Sequence, residues 1–202
     1  MRVVGGKNRG RRLLAPPGTK VRPTSDRARE ALFNILAHGQ FAVTGMPFAE
    51  GIVLDAFAGS GAFGLEALSR GAAEAVFIEQ DRDALAVLKK NIEALGESAR
   101  ARVLPGDATH PPRAMSPCAV AFLDPPYRSG LAGAALPALG AAGWLAPGTL
   151  AVVEIAAREH FAPPTGFILV DERVYGAARL MFLRDKPIGS DADLDLVAGR
   201  RL

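Results

Sequence analysis

From residue 51 onward, short apolar runs alternate with helical segments, and this alternation constrains the fold more than any other feature. The apolar runs lie near residues 52–55, 75–79, 101–104, 119–124 and 149–154, and the helical segments near 62–69, 81–95 and 130–139. Strongly apolar strands separated by helices predict an α/β domain whose parallel sheet is covered on both faces. Two further runs, at 167–174 and 178–184, predict a closing hairpin and hence an antiparallel strand at the end of the sheet.

The N-terminal segment differs from the rest of the chain in charge. Residues 1–29 carry nine of the 24 Lys and Arg residues and one acid, Asp26, so the remainder is net acidic. A turn at residues 5–10 predicts a basic β-hairpin, and a helix is expected over about 26–38. We therefore divide the chain into a hairpin arm (1–24), one domain (25–184) and a mobile tail (185–202).

The basic arm on an acidic body is typical of enzymes that act on nucleic acid, although a solvated basic tail accounts for the charge equally well. The cations of the arm expected to bind nucleic acid are Arg2, Lys7, Arg9, Arg11 and Arg12.

Composition excludes several other classes of protein. No apolar stretch reaches the roughly 18 residues that a membrane span needs. The single cysteine, Cys118, excludes an intramolecular disulfide, and the three histidines are isolated from one another, so we expect no metal site. These features predict a protein of the reducing cytoplasm, and we expect a monomer.

The first predicted strand leads into a glycine loop, LDAFAGSGAFG at residues 54–64, and a helix follows it. Gly59 and Gly61 permit a tight turn and the close approach of a ligand, and the helix N-terminus favours negative charge. Asp55 before the loop is less usual for a NAD-binding loop, so the motif favours a methyltransferase. A dinucleotide-binding loop and a plain structural turn remain alternatives, because residues 59–64 also match G-x-G-x-x-G.

Two further acids follow the next strands. Glu79 ends the second strand, about 20 residues after the glycine loop, where a carboxylate can accept hydrogen bonds from both ribose hydroxyls of a nucleoside. Asp107 follows the third strand and can accept from an adenine amino group. A helix cap for Glu79 and an ordinary Gly-Asp turn for Asp107 are the structural alternatives.

The motif Asp124-Pro125-Pro126-Tyr127 follows the fourth strand and indicates the reaction. The two prolines fix the turn that holds the Pro125 carbonyl. That carbonyl and the Asp124 carboxylate can accept both hydrogens of an exocyclic amine, which aims its nitrogen at an electrophilic methyl group, while Tyr127 offers a face on which a base can stack. Catalysis would then depend on positioning and on stabilising the ammonium that forms.

These motifs, in this order, resemble those of class I S-adenosylmethionine-dependent amino-methyltransferases, and more narrowly those of the RsmD family of bacterial 16S rRNA guanine-N2 methyltransferases. The narrower resemblance rests on MRVVGGK (1–7), RGRRL (9–13), VRPTSDRAREALFN (21–34) and GAFGLEALSRGA (61–72), and it covers about residues 1–184.

The resemblance implies a Rossmann-like seven-stranded sheet of order 3-2-1-4-5-7-6 with the last strand antiparallel. It also implies methyl transfer from S-adenosylmethionine, with S-adenosylhomocysteine as product, to N2 of guanine 966 in 16S rRNA, on naked RNA or on a small-subunit assembly intermediate. The implied cofactor contacts are Asp55, Phe57, Ala58, Gly59, Ser60, Gly61, Glu79, Gln80, Asp107, Ala108, Arg22 and Thr24. The implied contacts to the target base are Asp124, Pro125, Pro126 and Tyr127.

The same motif also serves adenine N6 in DNA or RNA and N5 of a protein glutamine, and both reactions stay open as alternatives. A cofactor-binding module without catalysis is less consistent with the complete Asp124 to Tyr127 motif.

Overall fold

The computed structural model describes residues 1–16, 26–42 and 46–185. Arg22, Thr24 and nearly all of the predicted tail lie outside the described residues. The helices are α1 (Asp26–His38), α2 (Ala62–Ser69), α3 (Arg82–Leu95) and α4 (Leu131–Ala141). The strands are β1 (Ile52–Ala56), β2 (Glu74–Glu79), β3 (Ala101–Pro105), β4 (Val120–Leu123), β5 (Leu150–Ala156), β6 (Phe167–Tyr175) and β7 (Ala178–Asp185).

The seven strands form one sheet of order β3-β2-β1-β4-β5-β7-β6. The five strands from β1 to β5 pair in parallel, and β7 runs antiparallel to both β5 and β6. The predicted fold class, strand order and antiparallel end are therefore confirmed. Among the described residues, no helix is both long enough and apolar enough to cross a membrane.

Alternate residues of the central strands face opposite sides of the sheet, which produces two cores. On one face, Val53, Phe77 and Phe122 pack with buried side chains of α1, α2 and α3. On the other face, Leu54, Val76 and Leu123 pack with α4 and with Trp144. We call these the α1 face and the α4 face.

The placement of the helices creates a crevice at the carboxyl ends of the central strands. The chain leaves β1 through α2 on the α1 face and leaves β4 through α4 on the opposite face, although β1 and β4 are neighbours in the sheet. Such a switch point opens a gap above the two strand ends, and open α/β sheets bind their ligands there.

The N-terminal hairpin packs against the domain. Its two sides are joined by hydrogen bonds from the Val3 N–H to the Arg11 carbonyl (2.9 Å) and from the Leu13 N–H to the Met1 carbonyl (3.1 Å). Val3 and Leu13 are buried in the core on the α1 face. The turn is anchored through Asn8, whose side-chain amide donates to the buried Glu97 carboxylate at 2.6 Å.

A buried group of charges joins the hairpin to α1 and α2. Glu66 of α2 accepts from the Val4 N–H at 2.8 Å and from Arg70 Nε at 2.7 Å. The buried Arg29 of α1 lies 3.7 Å from the same carboxylate and 3.0 Å from Asp26. Because a buried charge is costly without partners, these contacts stabilise the hairpin in one position on the domain.

Candidate functional site

Four carboxylates lie in a row at the carboxyl ends of the strands. Asp55, Glu79 and Glu154 belong to β1, β2 and β5, and Asp124 directly follows β4. Two-residue alternation places all four on the α1 face, in line with Val53, Phe77, Val152 and Phe122. Asp55 and Glu79, which the sequence assigned to the cofactor, thus lie at the same edge of the sheet as Asp124, which it assigned to the target base.

Asp55 is buried beneath the glycine loop. Its Oδ2 accepts from the Gly64 N–H of α2 at 2.9 Å, whereas its Oδ1 is buried and has no hydrogen-bond partner within the described ranges. Burial raises the pKa of Asp55 to about 7, the Gly64 N–H acts against this shift, and the nearby charge of Glu79 adds to it. A buried acceptor atom of this kind is ready for a donor or cation supplied by a ligand.

The glycine loop itself is held by backbone geometry. The N–H groups of Phe57 and Ala58 donate to the Ile78 carbonyl at 3.1 and 3.0 Å, and Phe57 adopts a φ of +77° that non-glycine residues seldom adopt. Gly59 has a φ of +54° and open space where a Cβ would stand, so a ligand can approach its backbone. Gly61 has a φ of +82°, and a Cβ there would lie 2.4 Å from Leu88.

Glu79 lies against the glycine loop through backbone contacts. Its Oε2 accepts from the Gly59 N–H at 2.7 Å, and its Oε1 accepts from the N–H groups of Gln80 and Asp81, both at 2.8 Å. Each carboxylate oxygen has further lone-pair capacity, so these bonds orient Glu79 and leave it able to accept ribose hydroxyls.

Asp107 is brought to the same edge by the loop after β3. The Gly106 N–H donates to the Glu79 carbonyl at 2.9 Å, and Asp107 Oδ1 accepts from the Thr109 N–H at 2.8 Å. This hydrogen bond from Thr109 holds the pKa of Asp107 below its usual range. Asp107 is therefore an ionised acceptor, and Ala108 beside it is buried.

On the other side of Asp55, the Asp124 to Tyr127 turn contacts β5. The Tyr127 hydroxyl donates to Glu154 Oε1 at 3.0 Å, while 43% of the Tyr127 surface stays exposed. Desolvation and the neighbouring charges of Glu154 and Asp124 raise the pKa of Tyr127 well above its usual value. Tyr127 is accordingly a protonated donor, with its ring partly open to a stacking partner.

Two acids at this edge were missed by sequence reasoning. Glu154 is 2% exposed, and its signal was visible as the one charged residue of the apolar run LAVVEIA. Glu159 accepts from the Arg128 N–H at 3.0 Å and from the Ala156 N–H at 3.3 Å, which ties the loop after β4 to the loop after β5. No local pattern in the sequence indicated this second contact.

The cations assigned to nucleic-acid binding fall into two groups. Lys7 is paired with Glu97 at 3.0 Å, Arg2 lies 3.8 Å from Asp26, and Arg11 donates to the Ala94 carbonyl. Arg9 and Arg12 are exposed, and their side chains make no ion pair or hydrogen bond with any other described residue.

The arrangement fits a cationic nucleoside ligand. Acids gather around the glycine loop, Asp55 offers a buried acceptor atom, and the space at Gly59 admits a ligand close to the backbone. S-adenosylmethionine carries a sulfonium, an ammonium, a ribose diol and an adenine amine. The acids provide hydrogen-bond acceptors for the last three groups and negative charge for the sulfonium. Asp55, Glu79 and Asp107 are the side chains that would hold it.

Comparison with known proteins gives a consistent match over nearly the whole chain. The family model described as conserved hypothetical protein 95 matches residues 1–184. "Ribosomal RNA small subunit methyltransferase D" of Escherichia coli K12 is 39% identical over 196 residues, which cover 96% of this chain and 94% of that protein. The protein of the same name from Haemophilus influenzae is 36% identical over 181 residues, covering 87% and 89% of the two chains.

Solved structures agree with these relatives. The structure named "Putative methyltransferase yhhF from Escherichia coli" superposes with a TM-score of 0.77 at 38% identity, covering 92% of this chain and 98% of that one. An RNA methyltransferase from Salinibacter ruber in complex with S-adenosyl-L-homocysteine shares the fold at a TM-score of 0.62, with 18% identity and coverage of 85% and 99%.

Proposed function

Because the chain belongs to the family described as conserved hypothetical protein 95, the RsmD family that its motifs resemble, we propose that it methylates the exocyclic N2 amine of a guanine in 16S rRNA. S-adenosylmethionine is the methyl donor in this proposal. The observation that carries it is the position of the Asp124 to Tyr127 turn directly after β4, the strand next to β1, so that it lies beside the glycine loop that follows β1.

The residues on the β1 to β3 side hold the donor. Glu79 accepts the ribose hydroxyls, Asp107 accepts from the adenine amine, and Asp55 balances positive charge beneath the glycine loop. When bound, S-adenosylmethionine supplies a methyl group on a sulfonium, which leaves as a neutral thioether and needs no acid to assist it. The protein therefore has to position the acceptor and stabilise the charge that develops on it.

The residues on the β4 side hold the acceptor amine. Asp124 and the Pro125 carbonyl each accept one amine hydrogen, which directs the nitrogen lone pair toward the donor. The negative charge of Asp124 also stabilises the ammonium that forms on the nitrogen, which then loses one proton to solvent and leaves the neutral methylated amine. The partly exposed ring of Tyr127 stacks on the target base.

The ribosomal substrate is supported by the names of the relatives and by the basic hairpin. We propose that the enzyme acts as a cytoplasmic monomer on 16S rRNA or on a small-subunit assembly intermediate. Arg9 and Arg12 extend from the hairpin without partners among the described side chains, so they are available to phosphates.

The proposal is tested with small ribosomal subunits that lack this modification. Incubation with labelled S-adenosylmethionine, followed by digestion to nucleosides, is expected to give N2-methylguanosine. An Asp124→Ala variant, shown by calorimetry to bind the cofactor, serves as the matched control and should give none. Labelled N6-methyladenosine, or label recovered in protein glutamine, would contradict the guanine assignment.

A further inference from the structure

Glu154 is a buried acid that the mechanism above leaves without a role. It lies within β5, 2% exposed, in a strand whose other residues are apolar. An acid in such a strand costs free energy unless it has partners or a function. Its position at the edge where the target base must enter suggests that the function concerns that base.

The register of the sheet places Glu154 beside Asp124. Leu123 pairs with Val153 in the parallel β4·β5 ladder, so the next residues on the two strands are Asp124 and Glu154. Neighbouring strands are about 4.8 Å apart, and each acid lies two residues after a side chain that faces the α1 side, Phe122 or Val152. The two acids thus occupy neighbouring positions at the carboxyl ends of adjacent strands, on the α1 face.

Contacts of Tyr127 show that Glu154 belongs to the target-base side of the crevice. The Tyr127 hydroxyl donates to Glu154 Oε1 at 3.0 Å, and the charges of both Glu154 and Asp124 act on that hydroxyl. The ring on which a base would stack is therefore flanked by both acids. A carboxylate can accept several hydrogen bonds, so the bond from Tyr127 does not prevent Glu154 from accepting one from a base.

We propose that Glu154 accepts a hydrogen bond from the ring N1–H of the target guanine while Asp124 and the Pro125 carbonyl hold its N2 amine. This assignment rests on the proposed function, and it makes Glu154 the residue that selects guanine. The N1–H and N2 amine are adjacent donors on one edge of guanine, and two neighbouring acids match that pair of donors.

The same pair of acids disfavours adenine. The ring atom next to the N6 amine of adenine is N1, which carries a lone pair and no hydrogen. With that amine at Asp124, the adenine lone pair would face the Glu154 carboxylate, and neither atom could donate. A site built to receive a hydrogen rejects an analogue that lacks it more strongly than it rejects a change of size.

The test uses 2-aminopurine, which keeps the reactive amine of guanine but has a lone pair at N1. Small subunits reconstituted with guanine or 2-aminopurine at the methylated position are compared for the wild type and for Glu154→Gln. The measured quantity is the ratio of kcat/KM for the two bases within each protein, so any intrinsic difference in amine reactivity cancels between the proteins.

We expect the wild type to prefer guanine. In Glu154→Gln the side-chain amide can donate to the N1 of 2-aminopurine but no longer offers a charged acceptor to guanine. The guanine preference should therefore fall by roughly tenfold to a hundredfold. Melting and cofactor titration establish that the nearly isosteric variant is folded and binds S-adenosylmethionine.

Tyr127→Phe is the matched control, because it removes the hydroxyl bonded to Glu154 but keeps the ring and the acid. If Glu154 merely orients Tyr127, the two variants should share one preference ratio, and that result would overturn the proposal. An unchanged ratio in Glu154→Gln, or a wild type that does not discriminate, would also overturn it. A wild type that methylates adenine in small subunits would instead reject the proposed function, and this assignment with it.

Discussion

The two sides of the crevice hold their acids in different ways. On the β1 to β3 side, Asp55, Glu79 and Asp107 each accept from backbone N–H groups, at 2.7 to 2.9 Å. On the β4 to β5 side, Glu154 accepts a hydrogen bond from a side chain, the Tyr127 hydroxyl, at 3.0 Å.

The difference separates a fixed half from an adaptable one. Backbone N–H groups move only if their loop moves. The side that binds the methyl donor, with Asp55, Glu79 and Asp107, therefore presents one geometry to its cofactor. Side-chain donors such as Tyr127 can change rotamer at smaller cost, which suits a half that must admit a base from a large RNA. Substitutions on the two sides are therefore expected to affect different measurements.

The largest effect is expected at Asp124. Asp124→Ala removes one acceptor of the target amine and the charge that stabilises the developing ammonium, so methyl transfer should fall by at least about a hundredfold. Cofactor affinity should be nearly unchanged, because Asp124 lies on the side that is proposed to bind the target amine. Calorimetry and a methylation assay on one sample check both quantities, and substantial retained turnover would remove Asp124 from the catalytic site.

Glu79→Ala should show the opposite pattern. It removes a charged acceptor of ribose hydroxyls and also releases the N–H groups of Gly59, Gln80 and Asp81. Cofactor affinity should fall at least about tenfold, with turnover recovered at saturating cofactor. An unchanged dissociation constant would show that Glu79 serves only the loop.

Asp55 is expected to make cofactor binding sensitive to pH. With a pKa of about 7 it is largely protonated at pH 6 and ionised at pH 8, and a cationic ligand favours the ionised form. Cofactor affinity should therefore rise with pH over this range, by up to about tenfold, as the cost of deprotonating Asp55 disappears. Titrations from pH 6 to 8 check this, and Asp55→Asn should bind more weakly and lose most of the pH dependence.

The stability of the unliganded protein should change with pH in the opposite direction. The folded state holds the Asp55 proton up to about pH 7, whereas the unfolded chain releases it near the ordinary aspartate pKa of 3.8. Because the folded state then binds more protons between these values, this group lowers the free energy of unfolding as pH rises from about 4 to above 7. Asp55→Asn should melt higher than the wild type at pH 8, with a smaller difference at pH 5.

The same division explains what the sequence could predict. The strands and their faces follow from alternation, and the bond from Gly64 to Asp55 spans nine residues, so both were within reach of local patterns. The Tyr127 bond to Glu154 spans 27 residues and that from Arg128 to Glu159 spans 31. Contacts of this kind depend on which strands become neighbours, and the sequence carries no spacing that reveals them.

The hairpin shows the same limit. Its charge predicted a surface for nucleic acid. Lys7 and Asn8 both contact Glu97, however, which lies about ninety residues further along the chain, beyond any local pattern. Sequence alone gave the five cations equal weight, whereas three of them contact the domain. Removing the whole hairpin would also remove Val3 and Leu13 from the core, so point substitutions test RNA binding more cleanly.

The smallest effect is expected from the exposed cations of the hairpin, and it extends the comparison from the crevice to the surface. If Arg9 and Arg12 meet phosphates, changing both to Gln should weaken RNA binding and reduce the slope of log K against log salt by about 1.4 to 1.8 units, from the single-strand and duplex coefficients. The melting temperature and cofactor affinity should not change, since neither side chain has a partner in the described part of the chain.

Lys7→Gln is the contrasting variant. It leaves the buried Glu97 without one of its cations, and the pKa of that carboxyl, lowered by Lys7 and Arg100 against its desolvation, should rise. This variant should melt at a lower temperature with a smaller change in salt slope than the double variant. Melting curves beside salt-titrated RNA binding separate the two outcomes. An unchanged slope of log K against log salt in the Arg9 and Arg12 variant would show that these two side chains are solvated and that RNA binds elsewhere on the protein.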